Sequence, residues 1–244
     1  MKKIPTCSTV LFFIGIAGLS AQTEDYYSNS NSSRGKKYFI SAGYGLGASQ
    51  WFSNSGSSSL YDRDGNLIPS ENGRFRASNA SNCVNFEVGA PISKFRVGLG
   101  ISFENNYLDE LTLIGNSYGS NGSKIIFDQT FGFEKMYAHF EAPLIVDQQK
   151  LYSLNFKGNI GFYGYSGGTA HEGFFGGSDL PSTFYTGAGL IADYKLTQHL
   201  YVFLNPLVEY QYFKNSSDYD YSKIVHNIIS FSVIAGVRLD ISRN

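Results

Sequence analysis

The sequence predicts an all-β fold, an eight-stranded antiparallel up-and-down transmembrane β-barrel, and three observations carry that expectation. Apolar residues alternate with small or polar ones at period two through eight segments. The connections between those segments are short and long by strict turns. The positions opposite the apolar ones are mainly Gly, Ser and Asn, with a few charges of both signs.

Composition sets the bounds within which that pattern is read. The 244 residues are 42% hydrophobic and include 20 Phe and 18 Tyr, yet only 16% are charged, so the chain can bury a large apolar surface and wholesale disorder is excluded. A net charge of −1 gives no basic face for nucleic acid. No run of 18 apolar residues exists, which excludes a helical membrane span, and the mean hydropathy is −0.17.

Residues 1–21 carry Lys2 and Lys3, an apolar stretch from Val10 to Leu19 and a small residue at Ala21, the layout of a secretory signal peptide. Its removal leaves 17 basic and 20 acidic residues and a single cysteine, Cys83, so no internal disulfide can hold the exported chain. Residues 22–37, rich in Ser, Asn and Tyr without periodicity, read as a flexible periplasmic leader. The barrel is expected over 38–241.

The first strand sets Tyr38, Ile40, Ala42, Tyr44, Leu46 and Ala48 against Phe39, Ser41, Gly43, Gly45 and Gly47. The next two form a pair around Pro91-Ile92-Ser93-Lys94, with Val84, Phe86 and Val88 on one and Phe95, Val97, Leu99, Ile101 and Phe103 on the other. A fourth runs from about Phe127 to Val146. Its apolar parity shifts from Phe131 and Phe133 to Ala138 and Phe140, and a β-bulge near Lys135 to Tyr137 would account for the slip. Asp147 to Lys150 turn into a fifth strand bearing Tyr152, Leu154, Phe156, Ile160 and Phe162. The sixth presents Phe184, Ala188, Leu190, Ala192 and Tyr194, and the seventh Val202, Leu204, Val208, Tyr210 and Tyr212, with Thr197-Gln198-His199 between them. The eighth places Phe231, Val233, Ala235, Val237, Leu239 and Ile241 outward. All short turns then fall at one end and all long loops at the other.

Face polarity separates a membrane barrel from a soluble one, because the apolar face of a membrane barrel meets lipid and its enclosed face is polar. Glu87, Arg96, Glu104, Glu141, Lys157, Glu209 and Arg238 are the expected interior polar network, with Asp193, Lys195 and Asp240 on the same parity. Each partner of such a network costs several kcal/mol if buried alone. Aromatics form two expected girdles: Tyr38, Tyr152, Tyr194 and Tyr201 at the turn end, and Trp51, Phe52, Tyr107, Phe162, Tyr163, Phe184, Tyr210 and Tyr212 at the loop end. Eight strands enclose a lumen that side chains can fill, so an open pore is not expected.

The Tyr38-to-Gly47 strand, the stretch Ala138-His139-Phe140-Glu141-Ala142-Pro143-Leu144-Ile145 and the segment from Gly187-Ala188-Gly189-Leu190 to Tyr212 resemble the small outer-membrane β-barrel proteins of Bacteroidetes. They are more distantly similar to the OmpX and OmpA barrels. The resemblance implies insertion by the barrel assembly machinery, with Gly236, Leu239 and Ile241 approximating its C-terminal signal, although the usual final aromatic is missing.

Candidate chemistry is sparse. His139, His171, His199 and His226 are scattered, with no pair at metal-ligand spacing, so neither metal nor cofactor is expected. His171, Glu172, Ser178 and Asp179 could serve a rim-located lipid A-modifying enzyme, but any Ser- and Asp-rich loop offers such a set. Asp62-Arg63-Asp64-Gly65-Asn66 lacks the ligands of a calcium loop, whereas Asp64-Gly65 between Leu60-Tyr61 and Leu67-Ile68 predicts a small hairpin. The glycines of 164–168 and 173–177 follow no phosphate-loop pattern, and Asp218-Tyr219-Asp220-Tyr221 reads as a solvated loop tip. The expected function is non-enzymatic: an integral outer-membrane barrel of a Gram-negative bacterium with both termini periplasmic and a structural or surface-interaction role. Outer-membrane lipid and a protein partner outside the cell or in the periplasm are the expected contacts. The alternatives are the lipid A-modifying enzyme and a narrow channel or accessory subunit of a secretion or transport machine.

Overall fold

Alternation at period two becomes ten strands in the computed structural model, which describes residues 37–54, 60–61, 67–68, 74–113, 124–149, 151–168, 182–216 and 223–242. They are β1 (Lys37–Asn54), β2 (Leu60–Tyr61), β3 (Leu67–Ile68), β4 (Arg74–Ile92), β5 (Phe95–Leu113), β6 (Lys124–Val146), β7 (Tyr152–Gly168), β8 (Ser182–Lys195), β9 (Leu200–Ser216) and β10 (Lys223–Ser242). The signal segment 1–21, the leader before Lys37, the residues His171, Glu172, Ser178 and Asp179, the turn 62–66, the glycines of 173–177 and the tip 218–221 lie outside the described residues.

Eight strands close into one antiparallel barrel in the order β1-β10-β9-β8-β7-β6-β5-β4, with β4 returning to β1. Closure satisfies the backbone donors that an open edge would leave facing hydrocarbon. The first strand pairs with the last along its whole length, from Lys37 opposite Ser242 to Asn54 opposite Val225. The predicted first-loop hairpin is present as β2 against β3, Leu60 opposite Ile68 and Tyr61 opposite Leu67.

Short turns gather at one end. Ser93 and Lys94 alone join β4 to β5, and Ser93 takes a φ of 57°, the left-handed value that two-residue hairpins demand. Between β8 and β9, Leu196 N–H donates to Leu200 O at 2.9 Å and Thr197 Oγ1 accepts from Leu200 N–H at 3.1 Å. Loop-end strands run further than alternation predicted. Arg74 to Asn82 are mostly polar, yet they pair with β1 down to Arg74 opposite Asn54, because ladder hydrogen bonds need a neighbouring strand rather than an apolar face.

The outer wall is apolar: Leu46, Leu99, Met136, Ile160 and Phe162 are each more than half exposed. The enclosed face holds the charges, so the barrel is the inverse of a soluble one. Three expectations need correction. β6 pairs without interruption from Phe133 to Tyr137 on both sides, so no bulge lies there; the irregularities fall instead at Leu144, near Ser166 in β7, and between Leu108 and Glu110 of β5. Phe131 and Phe133 therefore keep the parity of Lys135 and Tyr137 and point inward, 0% and 1% exposed. Trp51 and Tyr163, assigned to the outer girdle, are also buried inside, and Tyr201 shares the inner face of its partners Arg238 and Lys195. Tyr38, Tyr152 and Tyr194 at the turn end and Phe52, Tyr107, Phe162 and Phe184 at the loop end do stand on the exposed wall.

Candidate functional site

The lumen is the place where chemistry-bearing residues converge, and it is filled at three levels. At the turn end, Arg238 on β10 spans two carboxylates. Its Nη1 donates to Asp193 Oδ2 at 2.9 Å and Oδ1 at 3.1 Å, and its Nη2 to Glu141 Oε1 at 2.6 Å. Arg96 on β5 closes the square, donating to Glu141 at 3.2 Å and Asp193 at 2.9 Å. The Arg238 guanidinium also lies 4.8 Å from the centre of the Phe39 ring, where planar cation and ring face attract.

Glu87 on β4 completes this level. It pairs with Lys157 and accepts hydrogen bonds from Ser41 Oγ at 3.2 Å, Asn85 Nδ2 at 3.2 Å and Tyr137 Oη at 2.9 Å. The Tyr137 ring reaches Glu87 by lying over β5, because Gly100, paired with both residues, leaves it room; a Cβ at Gly100 would sit 2.4 Å from the ring. Three carboxylates thus meet three cations. Buried charges survive only in such mutual compensation, since each would otherwise cost several kcal/mol.

His139 stands inside this cluster, edge-on to Phe39 at 5.9 Å and to Tyr137 at 6.3 Å, with Nδ1 3.9 Å from Glu141 Oε1. Neither ring nitrogen has a hydrogen-bond partner among the described residues. Ligand atoms of Glu87, His139 and Glu141 lie within 4.8 Å of one another, a grouping that spacing along the sequence could not reveal because Glu87 comes from another strand. Both carboxylates already accept from ammonium or guanidinium groups. A divalent ion there would displace those donors and meet Lys157 and Arg238 at close range, so the donor set suits an ion-pair lock better than a metal centre.

The middle level centres on Lys135, which ion-pairs with Glu104 and donates to Glu209 Oε2 at 3.0 Å. Tyr185 Oη donates to Glu209 Oε1 at 2.6 Å, and Ser230 Oγ donates to Oε2 at 3.3 Å. Of the seven residues expected as one network, Glu87, Arg96, Glu141, Lys157 and Arg238 stand in the turn-end level, while Glu104 and Glu209 stand in this second group. Lys135 and the tyrosines Tyr137 and Tyr185 escaped the sequence reading. Unbroken alternation through Lys135, Tyr137 and His139 was the signal that would have found two of them.

The loop-end level is aromatic. Trp51 packs against Phe131 at 5.3 Å and Phe133 at 5.9 Å, Phe133 meets Tyr163 edge-on at 5.4 Å, and Phe213 meets His226 at 5.5 Å. The indole N–H donates to Ser49 Oγ at 3.1 Å, which satisfies its one polar atom. Ser49 also bonds Asn79, whose Nδ2 donates to Asn106 Oδ1 at 2.6 Å.

No family model matches the chain, and no curated protein matches it. Solved structures similar to it are outer-membrane proteins. OprG from Pseudomonas aeruginosa is 11% identical with a TM-score of 0.47, over 86% of this chain and 98% of its own. The outer membrane protease OmpT from Escherichia coli is 10% identical with a TM-score of 0.42, over 88% and 100%. Neisserial surface protein A is 18% identical with a TM-score of 0.36, over 80% and 96%.

Proposed function

We propose that the chain is an integral outer-membrane β-barrel with a non-enzymatic, structural or surface-interaction role, its short turns and both termini facing the periplasm and its long loops facing outward. One observation carries this reading: an apolar exterior surrounds a lumen packed with ion-paired side chains and ring clusters. Such an interior spends its polar groups on holding the wall together and leaves no continuous aqueous path. The placement of Lys37 and Ser242 beside the short turns supports the periplasmic assignment of both termini.

Planar-bilayer recording tests the filled lumen. The expected result is no stable conductance, and steady porin-like openings would overturn the reading. Fractionation adds a second check, with the protein expected in outer membranes and its gel mobility expected to change on boiling. Mass spectrometry of lipid A from a deletion strain addresses the enzymatic alternative; an unaltered lipid profile is expected.

A further inference from the structure

The two charge groups of the lumen are not equivalent. At the turn end, Glu87, Glu141 and Asp193 balance Arg96, Lys157 and Arg238, whereas in the middle Glu104 and Glu209 share the single cation Lys135. One carboxylate charge is therefore uncompensated among the described residues at a level where Glu104 and Glu209 are 5% and 7% exposed. An isolated buried charge is costly, and proteins answer it by pairing or by ion coordination.

Between the two groups lies a cavity of about 10 Å³, room for one water-sized occupant, whose lining includes the carboxylates of Glu87, Glu104 and Glu209, the two ammonium-bearing chains Lys135 and Lys157, and Asn205, so that its charged lining still carries one surplus negative charge. Its free polar atoms are oxygens. No donor of a described residue reaches Asn85 Oδ1, Asn159 Oδ1, Asn205 Oδ1 or Ser232 Oγ, and Asn205 is 1% exposed. The amide orientations of two of these are set by their neighbours. Glu87 can only accept, so Asn85 presents its nitrogen there. Tyr185 gives its proton to Glu209, so its oxygen accepts from the Asn159 nitrogen at 3.0 Å. The carbonyl ends of both side chains are thereby left without a donor, on residues that line the cavity.

We infer that this cavity binds one small monovalent cation of the Na⁺ class, held by amide carbonyl oxygens and the surplus carboxylate of the Glu104–Glu209 pair. Hard cations take oxygen ligands of this kind. A water molecule would supply protons to the carbonyls but leave the charge unanswered. A divalent ion would overshoot it beside Lys135 and Lys157.

The test uses the full chain folded in detergent micelles, with thermal midpoints read from heat-dependent gel mobility in sodium chloride and in N-methylglucamine chloride at equal concentration. Sodium is expected to raise the midpoint by several degrees in a saturable way. Glu104→Gln removes the surplus charge, so its midpoint in N-methylglucamine should match or exceed that of the parent and the sodium-dependent rise should be lost. Asn205→Leu, which removes a carbonyl ligand and keeps the charges, should weaken the rise, and Lys135→Met should enlarge it. Equal midpoints in the two salts would overturn the site, as would a sodium effect that both Glu104→Gln and Asn205→Leu leave intact. Should one of these two variants fail to fold, the parent and the other decide.

Discussion

The two ends of the lumen follow one rule of alternation and are filled by opposite chemistries. At the turn end, Arg96, Arg238, Glu141 and Asp193 form a square of ion pairs. At the loop end, Trp51, Phe131, Phe133, Tyr163 and Phe213 close the same cross-section with rings. Enclosure, rather than polarity, is what the inner positions share. A buried charge needs a partner of defined geometry, whereas a ring needs only contact, so the two ends should respond differently to the same kind of truncation.

The largest effect is expected from the charged end. Arg238→Met strips both Glu141 and Asp193 of their strongest donor and should cost about 4 kcal/mol, within the range for breaking a buried pair, as measured by urea unfolding in lipid vesicles. A loss under about 1 kcal/mol would mean that Arg96 alone neutralises the pair. At the ring-filled end, Phe133→Ala should cost about 3 kcal/mol through the cavity it leaves, while Phe162→Ala on the exposed wall should cost well under that in the same assay. Equal costs would exchange the two faces. Leu190→Arg, on the outer wall, should lose about 2–4 kcal/mol if it sits near mid-membrane, and normal stability in bilayers would contradict the lipid-facing assignment. The smallest change is a gain. Ser93→Gly relieves the φ of 57° in the two-residue turn, worth about 1–2 kcal/mol, against about 0.5–1 kcal/mol of added chain entropy in the unfolded state, and should raise stability by roughly 0.5–1 kcal/mol, read as a higher urea midpoint.

These contrasts also explain how far the sequence could be read. Strand number, antiparallel order and the inward position of Glu87, Arg96, Lys157 and Arg238 were all legible, because each follows from period-two spacing with polar residues opposite apolar ones. The small hairpin around Asp64-Gly65 was legible from turn chemistry alone, its arms pairing at Leu60 and Ile68. Phe131, Phe133, Trp51 and Tyr163 were misread for one reason. Apolar residues were equated with the lipid face, and a slip was invoked near Lys135 to preserve that equation. Holding parity constant through β6 instead places Lys135 inside with its two carboxylates.

Grouping is where the sequence runs out. Glu87 and Lys157 are 70 positions apart, and Arg238 reaches Glu141 across 97. Nothing along the chain says that Glu104 and Glu209 share one lysine. By itself the sequence determined the architecture, since alternation, turn residues and loop lengths are local properties that each strand carries in its own residues. Only the tertiary structure decided which inward side chains meet, because strand tilt and register in a closed barrel set who stands opposite whom, and those are consequences of all eight pairings at once.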